Sequence, residues 1–303
     1  MNTATSSTQT IDEGTSMNSS TATSDVNAPT GAASTPPRGR ESASLDQGFH
    51  PELADVGPVP FTRLVRVELR KLVDTRAGRG VLLAILGVTV IAMAAVLWVS
   101  RETGAELVPL LIAANMPQAL LLPVLGVMTA ANEWSQRTAL VTFSQEPRRL
   151  RVMLAKAVSA VLLGLGVLVI TVGVAMLGHT LSMALVDGGQ VDLAMGWAFL
   201  ANLTFLQVQG VLMGIAFGAL VLSVPLGIVA FFLVPVVTSI VTMLSSWLTE
   251  RAVWFDMSAA NLPLLGDNAL TAQQWAHVGS TTALWVLLPL AIGFWRVSRK
   301  EVK

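Results

Sequence analysis

The stretch Asn132–Lys156 reads N-E-W-S-Q-R-T-A-L-V-T-F-S-Q-E-P-R-R-L-R-V-M-L-A-K, with both charge signs and an indole close together. Glu133, Trp134 and Arg137 fall within about one helical turn. Glu146-Pro147 then breaks the helix, and Arg148, Arg149 and Arg151 follow. A short, rigid, charged helix held between two membrane helices could pass force from a soluble partner to the membrane. The same cations also fit an ordinary loop held on the cytoplasmic side of a bilayer. Bond-making chemistry finds little to use. The chain has no Cys, which excludes disulfides, thiolate metal sites and Cys nucleophiles. His50, His179 and His277 are too scattered to form a spaced ligand set. No G-x-x-x-x-G-K-[ST] cradle for nucleotide phosphates is present. Asp187-Gly188-Gly189-Gln190 imitates part of an ATPase signature loop but lacks the other ATPase motifs, and it reads as a turn. No Ser-His-Asp or metal constellation has credible spacing. Neither catalysis, a metal, a cofactor nor a nucleic-acid partner is expected.

The elements that position these residues are set by hydropathy. Of 303 residues, 53% are apolar and 13% charged, against about 25% charged in a soluble domain. The polar part is concentrated in residues 1–60, which hold eighteen Ser or Thr and six Pro. That composition predicts a disordered tail, either regulatory or an inert extension. It contains no apolar core suited to a secretory signal. Residues 61–79, F-T-R-L-V-R-V-E-L-R-K-L-V-D-T-R-A-G-R, place apolar side chains at mostly helical spacing around Arg66, Glu68, Arg70 and Lys71. Such a helix can lie in the headgroup plane with its cations on anionic lipid, or serve as a plain lead-in to the first span. Six segments are then long and apolar enough to cross a bilayer: about 81–99, 107–131, 157–177, 196–222, 226–248 and 278–295. The expected fold is an all-α membrane domain over 61–303. Leaving out Arg38 and Arg40 in the tail, fifteen cations fall before the first span, between the second and third, and after the sixth; the alternate side has only Arg101 and Arg251. Positive charge stays inside, so both termini are expected in the cytoplasm.

A few polar residues interrupt the spans. Asn115 and Gln118 in the second are costly in lipid and are candidates for lining a path. Thr238, Thr242 and Ser245 in the fifth stand at i, i+4 and i+7 on one helical face. That stripe could face a solvated path, or its hydroxyls could bond back to helix carbonyls. Gly210, Gly214 and Gly218 in the fourth have the spacing of a helix-packing face. The connector Thr249–His277 is long and partly apolar, with Asp256 and Asp267 as its acids; it either caps the path or hugs the membrane. No Asp, Glu or Arg lies within a confident span, which weighs against an ion- or proton-coupled carrier.

Three segments carry a family resemblance. E-L-R-K-L (Glu68–Leu72) resembles the N-terminal signature of permeases of the type-2 ABC export family. N-E-W-S-Q-R-T (Asn132–Thr138) and P-R-R-L-R-V-M-L-A-K (Pro147–Lys156) resemble that family's first cytoplasmic loop. Arg137-Thr138 stands where Gly-Thr is usual, and Ala139 follows. The resemblance covers 61–303 and leaves out the tail. It implies an export permease of a bacterial cytoplasmic (inner) membrane, with alternating access driven by ATP. It also implies a dimer, with a second copy or a paralogue, and a separate cytoplasmic ABC ATPase subunit. The loop with Glu133, Trp134, Arg137, Arg148, Arg149 and Arg151 would hold the coupling helix. The second and fifth spans would line the path. An ion-coupled carrier and a non-transporting membrane scaffold are the alternatives.

Overall fold

A computed structural model describes residues 59–266 and 268–300. The tail, but for its last two residues, lies outside the described residues, as do Asp267 and Lys303. Every regular element among the described residues is a helix. Helix α1 (Phe61–Asp74) ends at Thr75, whose extended backbone turns the chain and whose hydroxyl accepts from the Gly78 amide of α2 (Arg76–Val99). Then come α3 (Leu107–Ser135), α4 (Ala139–Gln145), α5 (Arg149–Ala184), α6 (Trp197–Val221) and α7 (Val224–Met243). Two short helices follow, α8 (Ser246–Arg251) and α9 (Met257–Asn261), and the long α10 (Ala272–Arg299) closes the chain. Six of these helices are long and apolar enough to span a membrane: α2, α3, α5, α6, α7 and α10. Their outward faces fit that solvent. Leu83 and Ile91 on α2, Val169 and Leu177 on α5, and Leu233 and Val236 on α7 are all exposed. The chain is a multi-pass membrane protein.

Helices α3 and α6 form the central pair, because small residues let their backbones meet. A methyl group added at Gly214 would stand 2.0 Å from the Pro123 carbonyl oxygen, and one at Gly218 would stand 2.7 Å from that of Val127. On α3, Gly126 faces the Val211 carbonyl in the same way. Lipid supplies no hydrophobic drive between helices, so close backbone approach and hydrogen bonds hold such pairs together. Gly210 is different: its nearest neighbour is a Pro123 ring carbon at ordinary contact distance. Helices α2 and α5 cover α3 on one side, while α7 and α10 cover the other side of the pair. Ile85, Leu122, Leu125, Met153, Val211 and Ile215 fill the main interior.

Pro117 and Pro123 do not interrupt α3, which runs unbroken through both. Inside a bundle, neighbouring groups can serve the carbonyls that proline leaves free. Pro289 acts more visibly: the preceding turn of α10, Ala283–Leu287, widens to a π-helix, as expected where the amide that would serve the Trp285 carbonyl is missing. The span read as 226–248 stops at Met243. Leu244 and an extended Ser245 then turn the chain into α8. The connector read as Thr249–His277 is mostly helical and folds back on the bundle. Ala260 and Leu264 are buried, the Trp285 indole donates to the Phe255 carbonyl at 2.6 Å, and Asn202 donates to the Gly266 carbonyl at 3.4 Å.

The two ends of the bundle differ in charge. Every described Lys and Arg except Arg101 and Arg251 belongs to the end formed by α1, α4, the α6–α7 corner and the end of α10. At the opposite end, His179 donates from Nδ1 to the Ala105 carbonyl at 2.8 Å and accepts the Asp192 amide at Nε2, 3.2 Å away. Asp187-Gly188-Gly189-Gln190 sits at this end in a turn, with Gly188 in the left-handed region.

Candidate functional site

Two constellations stand out, one at the basic end and one in the bundle. The first is a closed ring of four charges. Lys156 Nζ on α5 lies 2.7 Å from Glu68 of α1 and 3.0 Å from Glu133 of α3. Lys71 Nζ lies at the same two distances from the same two carboxylates. Lys156 is 3% exposed and Glu68 6% exposed. Each charge meets two opposite ones, which is the condition under which burial of ions is tolerated. Burial alone would lower the pKa of the Lys71 ammonium; the carboxylates of Glu68 and Glu133 outweigh it and hold that pKa above the ordinary lysine value. Thus Glu68 and Lys71, read as part of a lipid-facing charged surface, instead pin α1 to α3 and α5. Arg66 is exposed, and Arg70 pairs on the surface with Asp74. Lys156 was legible only as one more cation of a basic loop. The usable signal was its setting, since it is a lone Lys inside the apolar run V-M-L-A-K-A-V.

A groove of about 330 Å³ runs beside the ring, between α1, α3 and α4. Here the structure corrects the reading of the connector. Glu133 and Trp134 belong to the last turn of α3, which runs to Ser135. Arg137 follows in the left-handed region at φ 57, so the three residues do not share a connector helix. The helix that does form is α4, A-L-V-T-F-S-Q, and it carries no charge. Arg137 and Glu146 flank it instead. Phe143 points inward from α4 to Trp134, with ring centroids 5.9 Å apart, and the Lys300 ammonium lies over the same indole at 5.2 Å. On the other face, Leu140 and Val141 are exposed.

The three arginines separate by role. Arg151 reaches buried Glu146 at 3.3 Å. Arg149 donates to the Val297 and Lys300 carbonyls and lies over the Phe143 ring. Arg148 is exposed and has no ion pair among the described residues. Exposed Leu140 and Val141, flanked in sequence by exposed Arg137 and Arg148, leave α4 with side chains to offer another molecule.

The second constellation is a cavity of about 220 Å³ between α3, α6, α7 and α9, mostly apolar but with several amide side chains in its wall. Asn115 and Gln118 both line it. Gln118 is 1% exposed and ties helices together: its Nε2 donates to Thr89 of α2 at 3.3 Å and to Thr171 of α5 at 2.7 Å. Gln207 of α6 donates to Gln118 Oε1 at 3.1 Å and to the Gly164 carbonyl at 3.2 Å. Gln209 and Asn261 complete the amide lining. Their shared role depends on α9 folding back on α6, which no local pattern signals.

The hydroxyl stripe of the fifth span does not survive as one face. Ser245 stands beyond the end of α7, in extended backbone. Thr238 donates to the Val234 carbonyl at 2.9 Å and Thr242 to that of Ser239 at 2.7 Å, so both serve their own helix. Among the described residues no group of His, Asp and Glu is arranged to hold a metal. No protein-family model matches the chain, and no curated protein matches its sequence closely enough to count as a relative.

Proposed function

We propose that this chain is the membrane-spanning permease subunit of an ATP-driven exporter in a bacterial cytoplasmic membrane. It works as a dimer with a second copy or a paralogue, and ATP is hydrolysed by a separate cytoplasmic partner. The basic end then faces the cytoplasm, as the positive-inside rule requires, and α1 lies along the headgroups. The observation that supports this reading is α4: a short helix at the tip of the bundle, open on one face at Leu140 and Val141 and fastened on the other through Phe143 and Trp134. Close by, the charge ring binds α1, α3 and α5. A push on α4 would move three helices together instead of bending a loop. Closure of the paired ATPases would push the cytoplasmic loops together and rock the two permeases so that the path between them opens outward, the work coming from differential binding in the two states.

The test uses the faces that the fold leaves unused. Leu140→Asp with Arg148→Glu is expected to lower recovery of a co-purified ATPase about tenfold or more, the scale of a central interface residue. Size-exclusion behaviour of the permease should be unchanged. Reversing Arg149 or Arg151 would confuse docking with folding, since both are tied to the protein's own groups. Failure of any ATPase to co-purify with the unaltered chain would sink the proposal.

A second reading, an ion-coupled carrier, draws support from one observation: Glu68 and Lys156 are buried and titratable. Transport that survives ATP depletion but stops when the ion gradient is dissipated would establish it over the first. Vesicles that move nothing under either condition would leave a membrane scaffold.

A further inference from the structure

We infer that His179 is a pH-operated latch on the connector between α5 and α6: the neutral ring holds that connector, and a proton added to the ring releases it. This concerns one chain and does not rest on transport.

The latch joins two connectors to the end of α5. His179 is 3% exposed. Its Nε2 lies 3.2 Å from the amide nitrogen of Asp192. A backbone amide can only donate, so Nε2 accepts and carries no proton. The ring proton therefore sits on Nδ1 and goes to the Ala105 carbonyl, 2.8 Å away. Both hydrogen bonds together admit one state of the ring, the neutral one, in one tautomer.

A protonated imidazole donates from both nitrogens. The bond from Nδ1 to Ala105 survives that change. At Nε2 two N–H groups would face each other, and the Asp192 amide has to leave. The two connectors differ in what else holds them. Ala105, between α2 and α3, is tied twice, because its own amide donates to Ser182 Oγ at 2.8 Å. Segment 190–195 has no second tie. Among the described residues, the bond to His179 is its one hydrogen bond to the rest of the protein. Val191 and Leu193 are exposed, while Met195 packs on the interior. One proton thus frees 190–194 and leaves Ala105 in place. Once the segment lifts, the charged ring meets water, so it is not left buried without a partner.

The surroundings put no obstacle in the way of that proton. The first connector brings Arg101, Glu102 and Glu106, and the second brings Asp187 and Asp192; all five are exposed. The Asp192 carboxylate accepts the Ala194 amide at 2.8 Å. The stretches of α2, α3, α5 and α6 at this end carry no other ionisable residue. Four acids thus stand against one cation around the ring. Histidine is the side chain that ordinarily changes charge between pH 5 and 8, so the latch would open across that window. On the topology proposed above this end faces outside, and the latch would respond to the acidity of the surroundings.

The chain has no Cys, so Gln190→Cys gives a single attachment point for a nitroxide in the connector. Spin-label mobility of the full-length chain in detergent is read from pH 8 to pH 5. The ratio of mobile to immobile label is expected to rise as pH falls, by up to about tenfold per pH unit, the slope of one titrating group. His179→Gln should remove the pH dependence. Asp192→Pro, which deletes the amide proton, should leave the label mobile already at pH 8. The Pro variant keeps the test informative if the Gln variant fails to fold. A label at Leu140→Cys, at the opposite end of the bundle, should not respond. An immobile label at every pH would overturn the inference. So would the same pH response in a folded His179→Gln or Asp192→Pro chain, or an equal response at Leu140→Cys. None of these results bears on whether an ATPase partner exists.

Discussion

Lys156→Met is expected to destabilise the protein by about 3–5 kcal/mol, the cost of removing one partner from a buried ion pair, read as a large fall in the thermal unfolding midpoint in detergent. The cause is what remains. Glu68 loses the charge held at 2.7 Å, and Glu133 loses one of its two partners. Lys71 is the half-exposed member of the ring and cannot neutralise both acids. The same logic predicts rescue: Glu68→Gln and Glu133→Gln, added to Lys156→Met, should recover most of the loss because no buried charge is then unpaired. If the single variant melts like the parent chain, the ring has no structural role. The ring should also have a pH signature through Lys71. Its pKa is raised on folding above the ordinary lysine value. Its contribution is thus complete below that value and disappears as pH rises through the raised one, so the midpoint should fall only in strongly alkaline buffer.

Gly214→Leu should yield no folded protein. Even Gly214→Ala should cost about 1–3 kcal/mol, the range for overpacking a close-packed interior. The methyl would stand 2.0 Å from the Pro123 carbonyl oxygen, so a backbone has to move rather than a side chain. That backbone belongs to the α3–α6 crossing on which the other spans pack. Gly210→Ala, one turn away on the same helix, is the control. Its added methyl meets a proline ring carbon at 3.5 Å, so the change should be neutral or gain the helix preference of alanine over glycine, up to about 1 kcal/mol. Thermal unfolding of the two variants side by side checks the contrast, and equal melting would mean that the crossing is looser than described.

The long helices were readable because each needs its own apolar run, a signal that local composition carries. Hydropathy could not show where α3 ends. Glu133 and Trp134 look like connector residues in one dimension, yet the helix continues through them because Lys71, Lys156 and Phe143 meet them from other elements. The error at Ser245 has the opposite cause. Its spacing from Thr238 and Thr242 is helical, but the chain turns at Leu244 and the register is lost. Gln118 was picked out as a polar residue in an apolar stretch. Its partners lie 29, 53 and 89 positions away along the chain, and no window on one sequence brings those together. The pairing of Gln209 with Asn261, 52 positions further on, was hidden for the same reason.

The charge ring also sets an order on synthesis. A ribosome delivers Glu68 first, Lys71 directly after it, then Glu133, and Lys156 last. Until the third long helix emerges, a nascent chain has two acids and one lysine where the finished protein has two of each. Its first helix therefore has no settled seat while the first two spans are being inserted. A translation product arrested before residue 156 should leave α1 open to protease, and one released after it should protect that helix.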